Sequence, residues 1–149
     1  MPKWAPLIGF LVAAYAVAAI GGLSSSAGVS GWYASADRPG FTPPNWLFGP
    51  VWTVLYGAMA VAAWLAWLKR ADLRLWWVQL ALNFAWSPVF FAWQQLWLGL
   101  VVIVALDVTV AVTAWKFARV SKPAAWLLVP YLAWILYATA LNLGIAVLN

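Results

Sequence analysis

Residues 45–68 read NWLFGPVWTVLYGAMAVAAWLAWL, a run without a single Asp, Glu, Lys or Arg, closed by Lys69 and Arg70. A helix needs about 20 mainly apolar residues to cross the roughly 30 Å hydrocarbon core of a bilayer, and this run has that length. It also carries aromatic residues where leucine would serve. Trp46 sits near the helix start, and Trp52 and Tyr56 follow one turn apart.

Charge divides the rest of the chain in the same way. Residues 4–36, 75–106 and 123–149 are likewise free of formal charge. Of the 149 residues, 67% are hydrophobic and 7% charged, whereas a soluble domain carries about 25% charged residues. So few charges cannot cover a water-facing surface, and the chain reads as an integral membrane protein. One domain over 1–149 is expected, with spans at about 5–26, 45–68, 75–95, 98–118 and 124–147 and a turn at Gln94-Gln95. Period-two alternation is absent, so the expectation is all-α and not a barrel. Lys3 before an apolar run resembles a secretory leader, but the run is too long, lacks an A-x-A site and precedes four further spans.

Five spans put Lys3, Lys69, Arg70, Arg74, Lys116, Arg119 and Lys122 on one side, and only Arg38 on the other. The excess of basic residues predicts a cytoplasmic N-terminus, an external C-terminus and, for a bacterial chain, the inner membrane. The net charge of +5 lies in short clusters between spans, so nucleic acid is not an expected partner. Ala81 and Ala85 form a small-xxx-small pair on the third span, predicting a homodimer through that face.

The chain has no His, no Cys and no Glu. Zinc and haem sites built on His or Cys, Ser-His-Asp and Cys-His constellations are therefore excluded. Asp37, Asp72 and Asp107 fall on three separate elements, so paired-carboxylate catalysis is not expected, nor any resident metal or cofactor. Asp107 lies inside the fourth span. There it is read either as a functional group or as a structural one hydrogen-bonded to Thr109, Thr113 or another helix.

Of the 14 tryptophans, Trp4, Trp64, Trp67, Trp76, Trp77, Trp93, Trp97, Trp115 and Trp126 fall near span ends, as interface aromatics do. Trp52, Trp86 and Trp134 fall well inside. Helical spacing groups Trp52 with Tyr56. It groups Asn83 with Ser87 and Phe90, with Trp86 beside them, and Trp134 with Tyr137, Ala138 and Leu141. Two readings stand here: aromatic core packing, or the wall of a cavity for a flat apolar ligand. The connection at 27–44 is rich in Gly and Pro, which rules out a continuous helix, and Pro43-Pro44 suits the first turn of the second span. Trp32, Tyr33 and Phe41 within it point to a loop packed on something.

GWY at 31–33, RPGFTPPNWLFGPVWTVLY at 38–56, ALNFAWSPVFF at 81–91 and PYLAWILYATALN at 130–142 resemble the translocator proteins. These are also called peripheral-type benzodiazepine receptors and, in bacteria, tryptophan-rich sensory proteins. The resemblance implies a tight five-helix bundle, commonly dimeric, with a pocket capped by the first loop. It implies binding of porphyrins, of sterols in some members, and of benzodiazepine-type drugs. Pocket residues carry over to Trp32, Tyr33, Pro43, Trp46, Phe48, Trp52, Asn83, Phe90, Trp134, Ala138 and Leu141. In some bacterial members a tryptophan pair, here Trp52 and Trp134, is linked to light-dependent porphyrin breakdown. The chain departs from the pattern at Ser87-Pro88, where some relatives place amides. It also lacks the tyrosine and arginine of the sterol motif after the last Asn. The expected function is a porphyrin-binding membrane sensor, carrier or regulator. A porphyrin-degrading enzyme and a small proton-coupled transporter using Asp107 are the alternatives.

Overall fold

The computed structural model describes residues 3–30, 33, 36–42 and 45–149, with side chains for all of these except 21–30, 45–48 and 91–92. Five helices follow in order: α1 (Ala5–Ser30), α2 (Asn45–Leu68), α3 (Arg74–Ser87), α4 (Leu96–Ala118) and α5 (Lys122–Leu148). A π-helical segment, Pro88–Ala92, continues α3. Among the described residues there is no strand. Gly49–Leu68, Leu96–Ala118 and Lys122–Leu148 are each long and apolar enough to cross a membrane, and Ala5–Ile20 is a shorter apolar stretch.

The boundaries correct the sequence reading in three places. The first helix runs to Ser30, four residues past the expected end of the span at about 26. Glycine costs a helix about 1 kcal/mol without breaking it, and the first proline beyond Pro6 is Pro39. The third helix stops at Ala92, and its last turn is not α-helical. Pro88 has no N–H, and its ring would strike the Phe84 carbonyl in a regular helix. A wider turn avoids the clash, and the Trp93 amide bonds the Pro88 carbonyl at 2.9 Å. From Arg74 to Ala92 the element still covers roughly 28 Å at about 1.5 Å per residue, close to a bilayer core. The fourth helix begins at Leu96, two residues before the expected start.

Two turns use residues in the left-handed region, Arg70 at φ 58° and Gln94 at φ 54°. Behind Arg70 the Ala71 amide reaches back to the Ala66 carbonyl at 3.0 Å, and behind Gln94 the Gln95 amide reaches the Val89 carbonyl at 3.0 Å. These bonds satisfy carbonyls that a helix end leaves open. Beyond the first turn, Asp72 accepts the Arg74 amide at 2.9 Å and pairs with its guanidinium at 2.7 Å. Those bonds hold the exposed Asp72 carboxyl down to about 2.

The helices close a ring in the order α1, α2, α5, α4, α3 and back to α1. Small residues let them approach: Ala60, Ala62, Ala63 and Ala66 on α2 are wholly buried, as expected where lipid offers no drive to bury bulk. Trp76, read from its position as an interface residue, is also wholly buried. Its N–H bonds the Met59 carbonyl at 3.2 Å and its ring meets Phe10 at 5.4 Å. Depth along a helix says nothing about which way a residue faces, and Trp76 faces the bundle. Trp64 is half-buried and donates to the Lys3 carbonyl at 2.8 Å. The other seven tryptophans expected near span ends are exposed.

Candidate functional site

A chain of buried hydrogen bonds crosses the middle of the ring. Tyr56 of α2 donates to Asn83 Oδ1 of α3. Asn83 Nδ2 donates to the Tyr131 hydroxyl of α5 at 2.7 Å, and Tyr131 donates to Gln79 Oε1 of α3 at 2.8 Å. A second junction joins Trp86 Nε1 to Asn142 Oδ1 at 3.0 Å, while Asn142 Nδ2 holds the Leu96 carbonyl at 2.8 Å. Gly99 makes room for it: a Cβ there would stand 3.1 Å from Asn142 Oδ1. In hydrocarbon a polar group without a partner is costly, so such bonds fix which faces meet.

One turn above the bonds joining Tyr56, Asn83 and Tyr131, toward the 27–44 connection, α2 and α5 present Trp52 and Trp134 to each other. Their rings meet edge to face, with centroids 6.2 Å apart. This is a favoured arrangement of aromatic quadrupoles. Trp52 also contacts Tyr56 at 5.6 Å and Tyr131 at 6.4 Å, and Trp134 contacts Tyr137 at 5.5 Å. The antiparallel run of α2 and α5 explains why residues at such different places in the sequence share one depth.

Within the connection, residues 37–41 lie along the last turns of α5. Asn149 donates to the Asp37 carbonyl at 2.7 Å and accepts the Asp37 amide at 3.2 Å. Pro39 packs on Gly144, where an added Cβ would stand 2.9 Å from its ring. The Tyr137 hydroxyl donates to the Phe41 carbonyl, and the two rings lie 6.0 Å apart. On the other flank Tyr33 is wholly buried, meets Phe90 at 6.4 Å and carries the Arg38 guanidinium 5.0 Å from its ring centre. Burial pushes the Tyr33 hydroxyl above its ordinary range, and Arg38 opposes the shift. The described part of the connection therefore bridges α3 to α5, with Tyr33 packed inside and Phe41 exposed.

The residues singled out from the sequence separate by burial. Tyr56, Asn83, Trp86, Ser87, Phe90, Ala138 and Leu141 are buried. Tyr56, Asn83 and Trp86 have polar atoms engaged within the framework, and Trp86 stacks on Phe90 at 5.2 Å. Trp52, Trp134 and Tyr137 are half-buried. Trp32 and Pro43 lie outside the described residues, as do the side chains of Trp46 and Phe48. Gln79, Tyr131 and Asn142 were not anticipated. Two are amides inside apolar spans, a signal that marks helix-to-helix hydrogen bonds. Asp107 pairs with another helix: its Oδ2 accepts from Thr139 of α5 at 2.6 Å. Thr109 and Thr113 instead bond carbonyls one turn back on their own helix.

The profile of the TspO/MBR family matches residues 10–148. The chain belongs to this family. Among its relatives is the tryptophan-rich protein TspO of Archaeoglobus fulgidus, 43% identical over 148 residues, covering 96% of each chain. The translocator protein of Homo sapiens is 38% identical over 153 residues, covering 95% of this chain and 88% of its own. The tryptophan-rich sensory protein of Cereibacter sphaeroides is 37% identical over 149 residues, covering 98% and 92%. Family membership and the apolar helices together make this TspO/MBR chain an integral membrane protein.

Proposed function

We propose that the protein binds porphyrins, and by the same surfaces benzodiazepine-type drugs, between α2, α3 and α5 beneath the 27–44 connection, as a sensor, carrier or regulator of tetrapyrrole levels. The observation that carries this reading is the Trp52–Trp134 pair, 6.2 Å apart. The pair joins α2 to α5 with two half-buried indoles, next to a connection fastened to α5. Flat apolar ligands gain most from such walls. The names of the relatives, translocator protein and tryptophan-rich sensory protein, agree with a ligand-handling role. With no His or Cys in the chain, affinity comes from stacking and burial, so zinc and free-base protoporphyrin bind alike.

A second reading, light- and oxygen-dependent breakdown of porphyrin, draws on the same contact, since indoles are readily oxidised and two stand together. Titrating the purified protein with protoporphyrin, in light and dark and with and without oxygen, separates the two. Trp52→Phe retains a flat ring. Under the binding reading it weakens affinity roughly two- to tenfold and no new absorbing species forms in any condition. Light-dependent loss of porphyrin that collapses in Trp52→Phe and Trp134→Phe while binding persists, with the double variant no worse than either, establishes the enzymatic reading instead.

A further inference from the structure

The end of the bundle farthest from the Trp52–Trp134 pair holds an unassigned groove. Where α4 ends and α5 begins, Ala114, Ala118 and Ala125 form the floor of a groove of about 480 Å³, with Trp115 and Trp126 as its walls and Lys122 at its mouth. Both tryptophans stand out from the surface, 61% and 70% exposed. The Arg119 guanidinium lies 5.0 Å from the ring centre of Trp115, one of the groove's walls. The first turn of α5 contains no acid, and Ser121 before it forms no side-chain cap bond. The positive end of this helix therefore faces the mouth without an internal counter-charge.

No carboxylate offsets these cations. Asp72 is committed to Arg74 at 2.7 Å, Asp107 lies three turns down α4 and is bonded to Thr139, and Asp37 is held at the opposite end by Asn149. An apolar trough running along two membrane helices, flanked by aromatic residues at the level of the headgroups and closed by fixed positive charge, is complementary to one kind of molecule. We propose that this groove binds one anionic phospholipid per protomer. Its phosphate meets Lys122, Arg119 and the α5 amino end, and one acyl chain lies over Ala118, Ala125 and Ala114. A zwitterionic lipid brings its own ammonium to the same mouth and loses the advantage. A soluble anion gains nothing from the groove.

Native mass spectrometry of the purified protein in neutral detergent tests this, with phosphatidylglycerol and phosphatidylcholine of identical chains as probes. One phosphatidylglycerol per protomer is retained in preference to phosphatidylcholine. Arg119→Gln with Lys122→Gln, both exposed positions, weakens retention on the order of tenfold or more. Lys69→Gln with Arg70→Gln, at the same end but away from the groove, leaves it unchanged. Ala125→Leu fills the trough with all charges intact and also expels the lipid. Equal retention of the two lipids overturns the proposal, and so does an equal loss in the Lys69 and Arg70 variant, which indicates general attraction to a basic surface. Displacement by glycerophosphoglycerol, the headgroup without chains, overturns the lipid assignment in favour of a simple anion site.

Discussion

Asn142 shows how much one amide decides in this bundle. It satisfies the indole N–H of Trp86 and bonds the Leu96 carbonyl in the first turn of α4 at once. Replacing it by leucine keeps the branched shape and takes a hydrogen-bond partner from both groups in an apolar interior. Single hydrogen bonds between membrane helices average about 0.6 kcal/mol, and unmade buried ones cost more. The expected loss for Asn142→Leu is therefore about 1–2 kcal/mol. Thermal or SDS-induced unfolding measures it. Trp86→Phe removes the same donor, so in its background Asn142→Leu costs less than it does alone. Strictly additive losses in that pair would mean the bond contributes nothing.

At the scale of elements, the bundle depends on how its helices stop and on what ties the connection down. Gln94 adopts φ 54° without being glycine, a conformation that costs an L-residue roughly 1 kcal/mol or more. Gln94→Gly relieves it, and a rise in melting temperature is expected. A fall would show that the Gln94 side chain contributes more than the strain costs. The connection is held by Pro39 against Gly144, where a side chain has no room. Gly144→Val should lift Pro39 and loosen the Asp37–Asn149 bonds while leaving α5 helical. The readout is faster proteolysis within 36–42 and faster ligand release, with unchanged helical content by circular dichroism.

For the whole molecule, the unsettled surface is the outer face of α3. Ala81 is exposed there, beside Trp77, Leu80, Phe84 and Val17 of α1, which line a shallow trough of about 300 Å³. Small residues on a membrane-facing helix permit a second helix to approach closely, and a homodimer through this face is the expectation. Ala85 is half-buried on the same side, and Ala85→Trp should shift the detergent-solubilised protein from dimer to monomer by light scattering. A dimer that survives the change excludes this face.

Much of the architecture was legible before any coordinates. Four charge-free runs, and a region at 75–118 too long for one span, set the number of helices, because burying a charge in hydrocarbon is costly. The Trp52 and Trp134 positions were legible too, because aromatic residues deep in a span stand out against the small residues that helix contacts favour. Azimuth was not legible. Trp76 looked like an interface residue and proved to be core, and Asp107 found Thr139 on a helix 32 positions away in sequence. The relay from Tyr56 through Asn83 and Tyr131 to Gln79, and the fastening of Pro39 to Gly144, join segments that no local pattern relates. Hydropathy is a property of a segment and can be read along the chain. Which side of one helix meets which side of another is settled only when all five close the ring, because each hydrogen bond and ring contact needs both partners in place.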